Sequence, residues 1–159
     1  IEFEYAFAHE YKGPEFKQFL KMHTDQLEQI DLDWNRVYCQ NLCRNYFTEE
    51  TGVNKIWKKV AEEFWIERLK EELSVFDPEI PVLLTSQLLL EVLGDKETAK
   101  YMAPDIYECR TEIPVPADKN KLGRPLIPVY RGKSPRYKVS YHLKNKQWEK
   151  YRDLIKKQF

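Results

Sequence analysis

Glycine is scarce, five among 159 residues, and none of the five begins a phosphate-cradling loop or sits in a Gly-x-Ser-x-Gly turn. That absence counts against a nucleotide enzyme on a flavodoxin-like sheet and against a hydrolase elbow. Cysteine is equally sparse: Cys39, Cys43 and Cys109 are an odd number, which argues against a disulfide framework and for a reducing, intracellular setting, cytoplasmic or nuclear. Cys39 and Cys43 have metal-like spacing, but the nearest histidine is His23, and zinc needs four ligands. The expectation is therefore half-buried thiols, no metal and no cofactor. No apolar run reaches the roughly 18 residues of a membrane span; the best, residues 81–90, is broken by Thr85, Ser86 and Gln87. The chain shows no secretory or transit pattern. It opens on Ile1 inside a strand-like stretch, so upstream sequence is expected to be missing.

What is present points to a packed α/β globule. Hydrophobic residues make up 42% and aromatics 14%, enough for one ordinary core, and a single domain over residues 1–159 is expected. The net charge of zero hides a split. Residues 119–159 carry 13 basic and 2 acidic groups, a net of +11, and residues 1–118 a net of −11. Such asymmetry suggests a polyanion-facing surface; the competing account is pairing of the basic end with acidic helices of its own domain.

Hydrophobic period divides the chain into elements. A helix is expected over residues 14–30, with Phe16, Phe19, Leu20, His23, Leu27 and Ile30 on one stripe. A short strand over residues 36–40 follows, ending in the polar and aromatic loop 41–47. Val53, Ile56, Trp57, Val60, Phe64, Leu69, Leu73 and Phe76 mark a long amphipathic helix, spaced by three, four or five. Its glutamates read as solvated surface. Residues 80–84 lack alternation, the mark of a buried parallel strand; a helix from Thr85 or Ser86 runs to a stop at Gly94, and Asp95 caps a shorter one. Residues 104–121 read as an irregular surface crossing. Residues 126–130 form a third strand candidate, followed by the basic loop 131–138. A last helix, residues 144–158, buries Trp148, Tyr151, Leu154 and Ile155.

This alternation predicts a three-layer α/β/α fold with a short, mostly parallel central sheet. Ligands on such sheets bind beyond the carboxyl ends of the strands, which singles out residues 41–47, 85–87 and 131–138.

Those three junctions, in this order, resemble the uracil-DNA glycosylase superfamily. Val37-Tyr38-Cys39-Gln40-Asn41 is similar to that family's strand ending in an asparagine. Asp77-Pro78-Glu79-Ile80-Pro81-Val82-Leu83-Leu84 through Gly94 resembles its next strand and Leu-rich helix. Residues 126–130 with Ser134-Pro135 fall where the family carries a loop that enters the DNA minor groove. The resemblance implies an extruded base read by Asn41, whose amide offers donor and acceptor, and stacked on Phe3. It further implies Arg131, Lys133, Ser134, Arg136 and Lys138 on the nucleic acid, DNA being favoured. The family's first motif, which handles the hydrolytic water, has no counterpart, and Val129-Tyr130-Arg131-Gly132 stands where its last motif has a histidine. No catalytic residue of an N-glycosidic bond hydrolase, and hence of a DNA-repair activity, can be assigned. A non-catalytic nucleic-acid or protein-interaction module on the same fold stays open beside the enzyme.

Overall fold

The computed structural model of the chain describes residues 14–45, 47, 54–130 and 146–159. It divides into two compact units, Ile1–Asn41 with Arg131–Phe159, and Leu42–Tyr130.

In the first unit, helix α1 (Pro14–Gln29) carries His23, Leu27 and Ile30 into the interior, as the stripe predicts. It closes on a left-handed residue, Asp31, at φ 59°. The Asp31 N–H donates to Glu28 O and the Leu32 N–H to Leu27 O, the paired bonds of a Schellman ending. The expected strand over residues 36–40 does not form. Trp34–Arg36 is a 3-10 turn in which the Asp33 side chain accepts the Asn35 N–H. Trp34 Nε1 donates to Thr24 Oγ1, and Arg36 Nη1 to Asp31 O. These local bonds compete with a ladder, and no strand pairs with residues 37–40 among the described residues. Helix α6 (Lys146–Ile155) buries Trp148, Tyr151 and Ile155; Leu154, expected inside, is only half-buried. Trp148 Nε1 donates to Gln29 Oε1 at 2.7 Å, and Lys156 pairs with Asp31 at 2.6 Å.

In the second unit, α2 (Lys55–Val60), a π-helical turn (Ala61–Trp65) and α3 (Ile66–Leu73) run without a break. Asn54 Oδ1 caps the start by accepting the N–H groups of Ile56 and Trp57. The expected stripe is not the buried face, since Ile56, Phe64 and Phe76 are exposed; the core falls instead on Trp57, Ala61 and Ile66, the last two linked by the π turn, where the Ile66 N–H reaches back to Ala61 O. One extra residue keeps Ala61 and Ile66 both in the core while Phe64 is 49% exposed. The five glutamates of this helix lie on its surface, as expected, and each has a cation beside it. Glu62, Glu63, Glu67, Glu71 and Glu72 pair with Lys121, Lys59, Lys70, Arg68 and Arg44.

The same unit holds the sheet: β1 (Val82–Leu84) and β2 (Leu126–Pro128) pair in parallel, Val82 opposite Leu126 and Leu84 opposite Pro128. Val115 bridges Leu126 in antiparallel sense, so it lies on the other edge of β2. Pro128 shares the parity of Leu126, and its missing N–H therefore falls on that edge rather than in the ladder. Ile80 and Pro81, and Val129 and Tyr130, flank the strands without joining them. Helix α4 (Gln87–Leu93) ends at Gly94 as expected. A side chain there would press on Leu90 O at 2.8 Å and Ala99 N at 2.9 Å. Asp95 Oδ1 then accepts the N–H groups of Glu97 and Thr98, capping the short turn foreseen for it. Residues 104–121 are not a loose surface crossing. They include most of helix α5 (Ala103–Tyr107), and Ile106, Tyr107, Ile113 and Val115 are buried. Four dispersed apolar residues were too irregular in spacing to betray a core segment. The described residues thus form a mixed α/β protein with a two-stranded parallel sheet, and none of its helices is long and apolar enough to cross a membrane.

Candidate functional site

Because β1 and β2 are parallel, their carboxyl ends lie at the same end of the pair. Beyond β1 come Thr85, Ser86 and α4, whose half-buried Gln87 donates from Nε2 to Glu91 Oε1 at 3.2 Å and to Met102 Sδ at 3.1 Å. Beyond β2 come Val129 and Tyr130, both buried. The Val129 N–H donates to Leu84 O at 2.7 Å, and the Tyr130 N–H donates to the hydroxyl of Tyr107 at 2.7 Å. The two tyrosine rings meet edge to face, centroids 5.9 Å apart. Burial pushes the Tyr107 phenol well above its ordinary range, against the lowering effect of the Tyr130 N–H. Burial also raises Tyr130, with further contributions from Tyr107 and Glu91. Both phenols are neutral near pH 7, so neither supplies a phenolate nucleophile.

The opposite, amino end of the pair is held differently. Buried Arg124 donates to the carbonyls of Asp77, Leu73 and Phe76 at 2.6, 2.5 and 2.7 Å, gathering backbone acceptors at the end of α3. Asn120 donates to Pro116 O and Arg124 O and accepts from Leu122 N and Gly123 N. Lys121 Nζ reaches Val92 O and Glu62. Lys119 pairs with Glu112.

The residues singled out by sequence fare unevenly. Asn41 is exposed, its N–H donating to Gln40 Oε1. It does not end a strand, since residues 37–40 are not one. Phe3, Arg131, Lys133, Ser134, Arg136 and Lys138 lie outside the described residues. The following loop is anchored: Trp65 Nε1 donates to Asn45 Oδ1, and Arg44 lies 5.3 Å over the Trp65 ring while pairing with Glu72. Cys39, Cys43 and Cys109 are free thiols. Burial lifts Cys43 to about 11 and raises Cys39 as well, which makes both poor nucleophiles at neutral pH. Among the described residues no group of three or more His, Cys, Asp or Glu is disposed to hold a metal ion. Tyr107 and Glu91 were missed from sequence, because a hydroxyl meeting an N–H 23 residues away leaves no periodic trace. Comparison with protein-family models, curated proteins and solved structures finds no match to this chain.

Proposed function

We propose that this chain is a nucleic-acid-binding α/β protein of uracil-DNA-glycosylase-like build, in which Arg131, Lys133, Ser134, Arg136 and Lys138 contact phosphates and no complete hydrolytic site is present. The observation that carries it is the parallel pairing of β1 and β2. It brings the point where the chain leaves β2, immediately before Arg131, to the edge where α/β sheets bind ligands. Charge supports the same assignment. Lys119, Lys121, Arg124, Arg152 and Lys156 all bond within the protein. Residues 131–145, by contrast, hold five basic residues and no acidic one. Tyr137 and Tyr141 in that stretch add rings able to stack on bases. Asn41 and Phe3 belong to the proposal only as base-reading and stacking groups suggested by the family resemblance.

A three-layer sandwich is the architecture that fits this proposal. Leu126 and Ile127 are successive strand residues, hence on opposite faces, and both are 0% exposed, so β2 is covered on each face. An intracellular, reducing location agrees with the free thiols. The alternative, a protein-interaction module, draws on the exposed Phe64 and Val75.

Binding to a short fluorescein-labelled DNA, titrated with salt, tests the proposal. Affinity should fall with a log–log slope of roughly −0.7 to −0.9 per phosphate neutralised. Replacing Lys133, Arg136 and Lys138 by Ser should flatten that slope. Incubation with a uracil-bearing oligonucleotide should yield no abasic sites above a buffer control. Absence of salt-sensitive binding at about 50 mM salt would assign the charge split to internal pairing or to a protein partner.

A further inference from the structure

Independently of that nucleic-acid assignment, we infer that the outer edge of β1 docks an extended, basic peptide segment of a protein partner, which joins the sheet as a strand. The inner edge of β1 is already paired. Val82 N–H donates to Pro125 O at 2.8 Å, and Leu84 O accepts the Val129 N–H at 2.7 Å. The N–H and C=O of one trans peptide unit point in opposite directions. Pro81 C=O, opposed to Val82 N–H, and Thr85 N–H, opposed to Leu84 C=O, therefore face outward. Leu83 lies between Val82 and Leu84 in the parallel register, so its N–H and C=O face outward as well. No described residue bonds to any of these four groups, and β1 has β2 as its one neighbour in the sheet of the described residues.

Such a row of open donors and acceptors is a template for another strand. Pro81 has no N–H to give, which closes the row at its amino end. Ile80 is 51% exposed, and Pro81, Val82 and Leu83 are half-buried. An added strand thus finds apolar side chains to cover on both faces of the sheet. Charge selects the occupant. From Glu71 to Asp95 the chain has six acidic residues and no Lys or Arg. Asp77 and Glu79, just before β1, are exposed and form no ion pair among the described residues. Lysine or arginine in the incoming segment answers both carboxylates. A second copy of this chain, pairing edge to edge, brings the same stretch and no cation.

A short fluorescein-labelled peptide of alternating lysine and valine is the probe. It should bind the full chain, and its glutamate–valine counterpart should bind at least about tenfold more weakly. Bound peptide should slow amide exchange at Leu83 and Thr85 by about tenfold or more, while Val82, already bonded, changes little. Glu79→Lys should weaken binding roughly twofold to fivefold, the scale of an exposed ion pair. Absence of binding overturns the inference. So does binding that leaves Leu83 and Thr85 exchanging as in the free chain, since charge alone then holds the peptide. Slow exchange of both amides before peptide is added overturns it too, and a dimer in sedimentation would then give the edge to a second copy.

Discussion

The two ends of the β1–β2 pair are built on opposite principles. At the amino end, polar side chains turn inward and are bonded several times over, Arg124 to three carbonyls and Asn120 through four bonds. The residue there with positive φ is Gly123, at 66°, where a side chain would strain the backbone. At the carboxyl end, the N–H groups of Val129 and Tyr130 donate one bond each, to Leu84 O and to the Tyr107 hydroxyl. The positive-φ position nearby is occupied by Cys109, at a cost glycine would not incur. Gln87 and Glu91 stay half-exposed, and Met102 is 52% exposed. Anchoring by polar side chains is thus concentrated at the amino end.

The sharpest way to break this comparison is to remove Arg124. In Arg124→Met the carbonyls of Leu73, Phe76 and Asp77 lose their charged donor, and a loss of about 2 kcal/mol or more is expected in urea unfolding. A loss under about 1 kcal/mol would mean that water or backbone rearrangement replaces the guanidinium, and the amino end would not be the stable one. Strain at the carboxyl end is tested by Cys109→Gly, expected to raise stability by about 0.5–1 kcal/mol as the left-handed penalty is relieved. An unchanged or lower melting temperature would count against strain there. The smallest effect concerns Asp95. Hydrogen bonding from the Thr98 N–H, aided by the Glu97 N–H and Lys119, holds its carboxyl below the usual range. A folded pKa lower than the unfolded one stabilises the fold above the unfolded value, and that contribution fades as pH falls through the folded one. The gap in melting temperature between wild type and Asp95→Asn should therefore shrink on acidification. A gap that does not change between neutral and acid pH would deny the carboxylate its role.

Much of the helical frame was legible from residue spacing. Leu27 and Ile30, Trp57, and Trp148, Tyr151 and Ile155 are buried where a helical period puts them, since one face of a helix must leave water. The strands expected at residues 80–84 and 126–130 form as the shorter Val82–Leu84 and Leu126–Pro128; the second is wholly buried, and in the first only Leu84 is. Gly94 and Asp95 were readable as stop and cap because their chemistry is local. The strand expected at residues 36–40 fails for the complementary reason. Its β-favouring composition is a preference for a pleated surface, and a strand exists only where a neighbour supplies the ladder.

By itself, then, the sequence determined the longer helices, two strands, the turn residues and the uneven distribution of charge, all of which depend on neighbours within a few positions. Tertiary structure alone decided which partner each long-range polar group finds. Arg124 looked like one more cation of a basic tail, yet its guanidinium lies among carbonyls 47 to 51 residues away. Tyr107 looked like part of a surface loop, yet it completes the edge of β2. Apolar burial is non-directional and leaves a period in the chain, whereas a hydrogen bond joins two particular atoms and leaves none.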